Sequence, residues 1–215
     1  MSKPSRIFSL LQALSVTCSI VSPILSGKLI TLSFIMFDTP VEIPASVFVY
    51  AFIFLISNVI SEVWSDKFAL VTTFNGFVCQ LFASVIFYIL ILLPCSDPNV
   101  KSAYSTVFSS NFFFTLSGII AYICSQRLNI FLYKNLRRQG VSPAVVNLAS
   151  TLPGQAVDAV VFLGLSYGVF LKYFADKDHT TSLIIMLIVQ YLIRILITLF
   201  ELPIFKLIIS KVKDD

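Results

Sequence analysis

The chain has 215 residues, of which 57% are hydrophobic and only 12% are charged, and its mean hydropathy is +0.92. Soluble domains carry about 25% charged residues, so this composition excludes a water-soluble globular protein. The net charge of +4 is small, and the single histidine and the four cysteines follow no metal-ligand spacing. The composition therefore predicts an integral membrane protein with no metal site and no cofactor.

Six apolar segments follow one another along the chain, each about long enough for a transmembrane helix. They extend over residues 7–25, 44–63, 70–93, 107–132, 145–170 and 182–209. The first resembles a signal peptide, but its apolar part is too long and no clean cleavage site follows, so we interpret it as an uncleaved helix. The sequence thus predicts an all-α fold in which six transmembrane helices form one bundle, with residues 1–215 as a single domain.

The segment between the first two predicted helices, residues 28–44, is apolar but is broken by Pro40 and Pro44. Two interpretations remain open. The segment either continues the first helix or forms a short re-entrant or interfacial piece, and irregular backbone at membrane depth needs cover from protein.

The lysines and arginines predict the orientation, because cytoplasmic loops are enriched in them. If the N-terminus is cytoplasmic, nine of these residues face the cytoplasm and four face the outside. The nine are Lys3, Arg6, Lys67, Lys134, Arg137, Arg138, Lys206, Lys211 and Lys213. The four are Lys28, Lys101, Lys172 and Lys177. The distribution predicts that both termini are cytoplasmic, and it makes the cluster after the fourth helix a topological anchor, not a nucleic-acid-binding patch.

Four of the predicted helices each carry one line of polar residues at helical spacing, and each of these lines includes an aromatic residue. The lines are Phe54, Asn58, Glu62 and Ser65; Gly118, Tyr122, Ser125, Asn129 and Tyr133, with Gln126 adjoining; Thr151, Gln155, Asp158 and Phe162; and Tyr191, Arg194, Thr198 and Glu201. Interhelical hydrogen bonds, worth about 0.6 to 2 kcal/mol each, could be their only purpose. Such bonds usually need only Ser, Thr or a lone Asn, so acids, arginines and amides together favour a polar cavity for a solute.

Asp158 is the most costly of these residues, since a charge at mid-bilayer depth costs roughly 2.5 to 3.5 kcal/mol. We expect it to pair with a cation, either Arg127 or Arg194, because an unpaired buried charge is strongly destabilising. Pro153 and Gly154 lie on the same predicted helix. They either loosen it and free backbone carbonyls near the cavity, a device known from transporters, or cause a simple packing kink.

Three segments resemble the bacterial queuosine-precursor transporters, also called the vitamin-uptake-transporter family. They are YAFIFLISNVISEVWS (50–65), AYICSQRLNIFLY (121–133) and NLASTLPGQAVDAVVF (147–162). The last helix adds the family's spacing of a tyrosine, a cation three residues later and a proline, here Tyr191, Arg194 and Pro203. The chain departs from the family pattern in four places. Asn58 and Asn129 replace aspartates, Arg194 replaces a lysine, and Arg127 adds a cation, so the site is less negative than the family pattern.

The resemblance implies a transporter of the bacterial inner membrane, not an enzyme. It would import a 7-deazaguanine (queuine, or the nitrile or aminomethyl precursor) for the queuosine modification of tRNA, without binding nucleic acid directly. Its expected substrate-binding residues are Asn58, Glu62, Tyr122, Gln126, Asn129, Gln155, Asp158, Tyr191 and Arg194. A carboxylate could accept two adjacent N–H groups of a guanine-type edge, the amides suit its other polar atoms, and aromatic faces suit the flat ring.

Other functions remain open. Six helices of this length also suit the substrate-binding subunit of an energy-coupling-factor importer, which would bind an ATPase module. The chain could also be a structural membrane protein. It could also form a homodimer with a second copy of itself. An intramembrane enzyme is disfavoured because the helices contain no HExxH, nucleophile-elbow or DxxD pattern.

Overall fold

In a computed structural model of the chain, the backbone of residues 3–36, 39–140, 143–172 and 177–213 is described. The elements follow in the order α1 (Lys3–Ser26), β1 (Leu29–Met36), β2 (Thr39–Pro44), α2 (Ser46–Val63), α3 (Asp66–Leu92), α4 (Pro98–Phe108), α5 (Asn111–Arg138), α6 (Pro143–Leu163), a π-helical segment (Gly164–Phe170) and α7 (Lys177–Lys213). The predicted helical fold is confirmed, with one small sheet that the sequence analysis did not expect.

Five stretches among the described residues are long and apolar enough to cross a membrane. They are Arg6–Ser26, Asp66–Leu92, Pro98–Asn129, Ala149–Phe170 and His179–Ile197. A sixth apolar helix, Ser46–Ser61, is shorter. Only 17% of the apolar window of Asp66–Leu92 is buried, and side chains such as Phe74 and Phe82 are 67% exposed. Such a surface is unsuited to water and suited to lipid. The count of six spans and the orientation of the termini stay predictions.

Residues 29–44 are not a continuation of the first helix. The strands β1 and β2 form a two-stranded sheet, and the backbone N–H of Ala45 donates to the carbonyl of Lys28 at its base. Along β2, Val41 and Ile43 are fully buried while Glu42 between them is half-buried. This alternation follows the two-residue period of a strand. The interpretation as a helix extension is therefore wrong. Gly27 and Pro40 disfavour a continued helix, and the β-branched residues of the segment favour extended backbone.

The fourth predicted helix, 107–132, corresponds to α5, and a helix that was not predicted, α4, precedes it. Asp97 caps α4 by accepting a hydrogen bond from the backbone N–H of Asn99, with Pro98 at the first helical position. A break at Ser109 and Ser110 separates α4 from α5. After α5, Gly140 has a φ of +77°, the left-handed conformation that commonly ends a helix.

Contacts divide the chain into two compact units. Unit 1 comprises Met1–Ile30, Pro44–Thr115 and Leu196–Asp215, and unit 2 comprises Thr31–Ile43 and Leu116–Ile195. The sequence prediction of a single domain stays a prediction.

Unit 1 is built on α1, α2 and α3, each of which contacts the other two. Gly76 permits the close approach of α1 and α3: a Cβ atom there would lie 2.8 Å from Ser19 Oγ and 3.3 Å from Ser19 Cβ. Near one end, Ile56, Ile60 and Ala69 form a buried apolar cluster, against which Phe8 and Trp64 pack. The ring centroids of Phe8 and Trp64 are 5.3 Å apart.

Candidate substrate-binding site

Unit 2 contains a buried ion pair between α6 and α7. Arg194 Nη1 lies 2.7 Å from Asp158 Oδ2, and the two residues are 4% and 8% exposed. The predicted pairing of Asp158 with Arg194 is confirmed, whereas Arg127, the other candidate, is exposed on α5. Buried charges cost several kcal/mol to desolvate, and an ion pair between two helices is more than helix association needs.

Gln155 and Tyr191 lie one helical turn before the two charged residues. Gln155 is 5% exposed and precedes Asp158 by three positions on α6. The hydroxyl of Tyr191 donates to the carbonyl of Leu152 at 3.2 Å. Leu152 is the residue before Pro153, and α6 continues through this proline without ending. The two predicted site residues therefore belong to the same face of contact between α6 and α7.

The helix α5 approaches α6 at Gly154. A Cβ atom at this glycine would lie 3.4 Å from Asn129 Cβ and 3.5 Å from the Ser125 carbonyl. Asn129 is half-buried, so the structure brings its side chain beside the turn of α6 that carries Gln155. Tyr122, two turns earlier on α5, is also half-buried.

Three predicted site residues are not described at the side-chain level. Asn58 and Glu62 belong to α2 in unit 1, and Gln126 belongs to α5. Their side chains lie outside the described residues, and their role in binding stays a prediction. The structure thus brings together Asn129, Gln155, Asp158, Tyr191 and Arg194 through contacts of α6 with α5 and α7.

The sequence analysis missed Gln190 on α7. This glutamine is 0% exposed, and neither atom of its amide has a hydrogen-bond partner among the described residues. Its position was detectable, because it precedes Arg194 by four residues and so shares its helix face. The predicted line of polar residues on this helix included Tyr191 instead, and Gln190, which has mostly apolar neighbours in the sequence, was left out.

The end of α6 is irregular. Residues Gly164–Phe170 are π-helical, with the N–H of Leu171 donating to the carbonyl of Ser166 five residues earlier. The hydroxyl of Ser166 donates back to the Phe162 carbonyl. Segments of π-helix are rare and often lie at functional sites. Here the segment follows the helix that carries Asp158.

No group of three or more metal-binding side chains occurs in the described part of the chain. The side chains at the contacts of α6 with α5 and α7 are suited to recognition. A carboxylate accepts hydrogen bonds, amides both donate and accept them, and aromatic rings offer flat faces.

Several apolar helices around a buried ion pair define a multi-pass membrane protein with a polar intramembrane site, the class to which transporters belong. Residues 44–208, more than half of the chain, match a family described as "Putative vitamin uptake transporter". The chain therefore belongs to this vitamin uptake transporter family. No curated protein and no solved structure matches it.

Proposed function

We propose that the protein imports a 7-deazaguanine across the bacterial inner membrane, as queuine or as the nitrile or aminomethyl precursor, for the queuosine modification of tRNA. Family membership supports uptake of a small vitamin-like solute. The resemblance of the segments around Asn58, Gln126 and Asp158 to queuosine-precursor transporters supports the narrower substrate class. The observation that carries the proposal is the buried contact of 2.7 Å between Asp158 and Arg194.

Asp158 is the main recognition residue in this proposal. A guanine-type ring presents two neighbouring N–H donors, the ring N1–H and the exocyclic amine, and a carboxylate accepts both. Arg194 occupies Oδ2 of Asp158, but a carboxylate has about four lone-pair sites, so other directions remain for a ligand. Arg194 fixes the orientation of the carboxylate.

Residues on the adjoining turns complete the recognition. The amides of Gln155 and Asn129 suit the remaining polar atoms of the ring. Tyr122 and Tyr191 could stack on its faces, which is worth about 1 to 3 kcal/mol per base where it has been measured. All four are buried or half-buried in unit 2, so their hydrogen bonds form away from competing water.

Transport in cells tests the proposal. The protein is expressed in bacteria that lack their own queuosine synthesis and import, each of the three precursors is fed at micromolar concentration, and queuosine in tRNA is measured by mass spectrometry. Restored queuosine with at least one precursor is expected. If tRNA stays unmodified with all three despite confirmed membrane expression, the substrate assignment is wrong.

Asp158→Asn tests the site in the same cells. Losing a charge-assisted hydrogen bond costs about 1.5 to 3 kcal/mol, roughly ten- to a hundredfold in affinity, so most uptake should disappear. Gln155→Ala should be impaired less. Asp97→Asn is the matched control, since Asp97 is exposed and Asn caps a helix as well as Asp. Normal uptake by Asp158→Asn at subsaturating substrate would remove Asp158 from the site.

A further inference from the structure

Gln190 has no hydrogen-bond partner among the described residues that explains its burial. Its side chain is completely enclosed, yet the amide nitrogen and the amide oxygen have no hydrogen-bond partner among the described residues. Buried polar groups are nearly always paired, and an unpaired one lowers stability. A side chain that served only to hold helices together would use at least one of these atoms.

Gln190 also lies where a ligand of Asp158 would be within reach. It shares a face of α7 with Arg194, one turn away, or roughly 6 Å along the helix axis. Arg194 contacts Asp158 directly, and the neighbouring Tyr191 contacts Leu152 on the same helix, α6. The unpaired amide therefore belongs to the part of α7 that meets the helix carrying Asp158.

The chemistry of a carboxamide defines what it can recognise. It offers one donor beside one acceptor, and it is complementary to a ligand edge with one acceptor beside one donor. When ionised, the Asp158 carboxylate can only accept hydrogen bonds, so on a 7-deazaguanine it is complementary to the edge that carries two N–H donors. On a free base, the neighbouring edge has the ring nitrogen N3 as acceptor and N9–H as donor, which matches Gln190.

We propose that Gln190 is a further substrate-binding residue whose carboxamide binds the N3/N9–H edge of the base, so that the site selects free bases over nucleosides and other N9-substituted forms. This inference rests on the proposed function and adds a specificity to it. Alternating access provides the route to a fully enclosed amide, because a transporter site opens to one side of the membrane at a time.

Binding of 7-deazaguanine and of 9-methyl-7-deazaguanine to the purified full-length protein in nanodiscs tests the inference. Wild type should bind 7-deazaguanine at least tenfold more tightly than the 9-methyl compound. Gln190→Met keeps the length of the side chain and removes both hydrogen bonds. It should bind 7-deazaguanine roughly tenfold more weakly and should lose most of the preference over the 9-methyl compound. Gln190→Asn, which keeps the amide, should be intermediate.

Stability measurements separate this role from a structural one. Replacing an unpaired buried amide by an apolar group of the same shape is neutral or stabilising, so Gln190→Met should unfold at the wild-type temperature or above. Gln80→Met is the matched control, since Gln80 is a buried glutamine (6% exposed) on α3 in unit 1, and it should bind both compounds as wild type does.

The outcomes are distinct. If Gln190→Met binds 7-deazaguanine as wild type does, or if it weakens binding only together with a lower unfolding temperature, the role of Gln190 is refuted while the proposed function stands. If wild type binds neither 7-deazaguanine nor any of the three precursors, the proposed function fails and this inference fails with it. If wild type binds both compounds equally, the selection at N9 is refuted.

Discussion

The two units bury polar residues in different ways. In unit 1, α1 buries Ser15, Ser19, Ser22 and Ser26 along one face, and two of these hydroxyls donate to carbonyls of their own helix. Ser26 also contacts the hydroxyl of Ser46 on α2 at 2.8 Å, and small residues of this kind let helices approach closely. In unit 2, Asp158 and Arg194 form an ion pair with each other across α6 and α7.

This difference separates polar residues that assist packing from polar residues that indicate function. A serine stripe costs little, because a neutral hydroxyl is far cheaper to bury than a charge, and those of Ser19 and Ser26 donate to carbonyls of their own helix. A buried carboxylate and guanidinium cost several kcal/mol each to desolvate and are often replaceable by apolar residues without loss of stability. Their presence in unit 2 is therefore better explained by what they bind than by what they stabilise.

The largest expected effect is that of Arg194→Met. This change leaves the Asp158 carboxylate buried without its cation, which typically costs about 3 to 5 kcal/mol. The unfolding temperature of the purified protein in detergent should fall accordingly. Adding Asp158→Leu should restore the unfolding free energy to within about 1 kcal/mol of wild type. An unchanged unfolding temperature for Arg194→Met alone would show that the two side chains do not depend on each other.

Two glycine substitutions compare the helix contacts of the two units. Gly76→Ala in unit 1 places a methyl group 2.8 Å from Ser19 Oγ, and overpacking of this kind costs about 1 to 3 kcal/mol. Gly154→Ala in unit 2 meets Asn129 Cβ at an ordinary 3.4 Å, so the better helix propensity of alanine should leave stability equal or higher by up to about 1 kcal/mol. Thermal unfolding of both variants measures the difference. Equal losses of stability in the two variants would contradict the inference that packing is looser at Gly154 than at Gly76.

The smallest effects are expected from two substitutions that each remove one hydroxyl group and should lower the free energy of unfolding by similar amounts. Thr115→Val removes the buried 2.7 Å hydrogen bond with Ser84 in unit 1, and Tyr191→Phe removes the bond to the Leu152 carbonyl in unit 2. Each should cost about 1 kcal/mol. Only Tyr191→Phe should lower uptake per folded molecule, by a few fold. Equal uptake by both variants would mean that position 191 has no functional role beyond packing.

Much of the helical fold could be predicted because apolar length is a strong signal. The observed α2, Ser46–Val63, begins two residues later than predicted (44–63) and ends at the same residue. The sheet was missed because residues 29–44 are apolar on both strands, and a short apolar run does not distinguish a strand from a helix. The cap formed by Asp97 and Pro98 was a readable signal for α4, but the stretch was interpreted as a loop.

The site was predictable where its residues are charged. The cost of Asp158 in lipid required a cation, and of the two candidates, Arg127 and Arg194, the partner is Arg194. Sequence alone could not choose between them, because the choice depends on how α6 contacts its neighbours. Gln190 was overlooked because an amide carries no charge, and its significance lies in the absence of a partner among the described residues, which only coordinates reveal.

Uptake by the Asp158→Leu/Arg194→Met double variant tests most directly whether the buried ion pair of unit 2 binds substrate. Queuine uptake and thermal unfolding are measured on the same preparations, reconstituted in vesicles, so that a folding defect cannot be mistaken for a binding defect. The account predicts a protein as stable as wild type, to within about 1 kcal/mol, with uptake reduced at least tenfold. A stable double variant that transports queuine at the wild-type rate would contradict it.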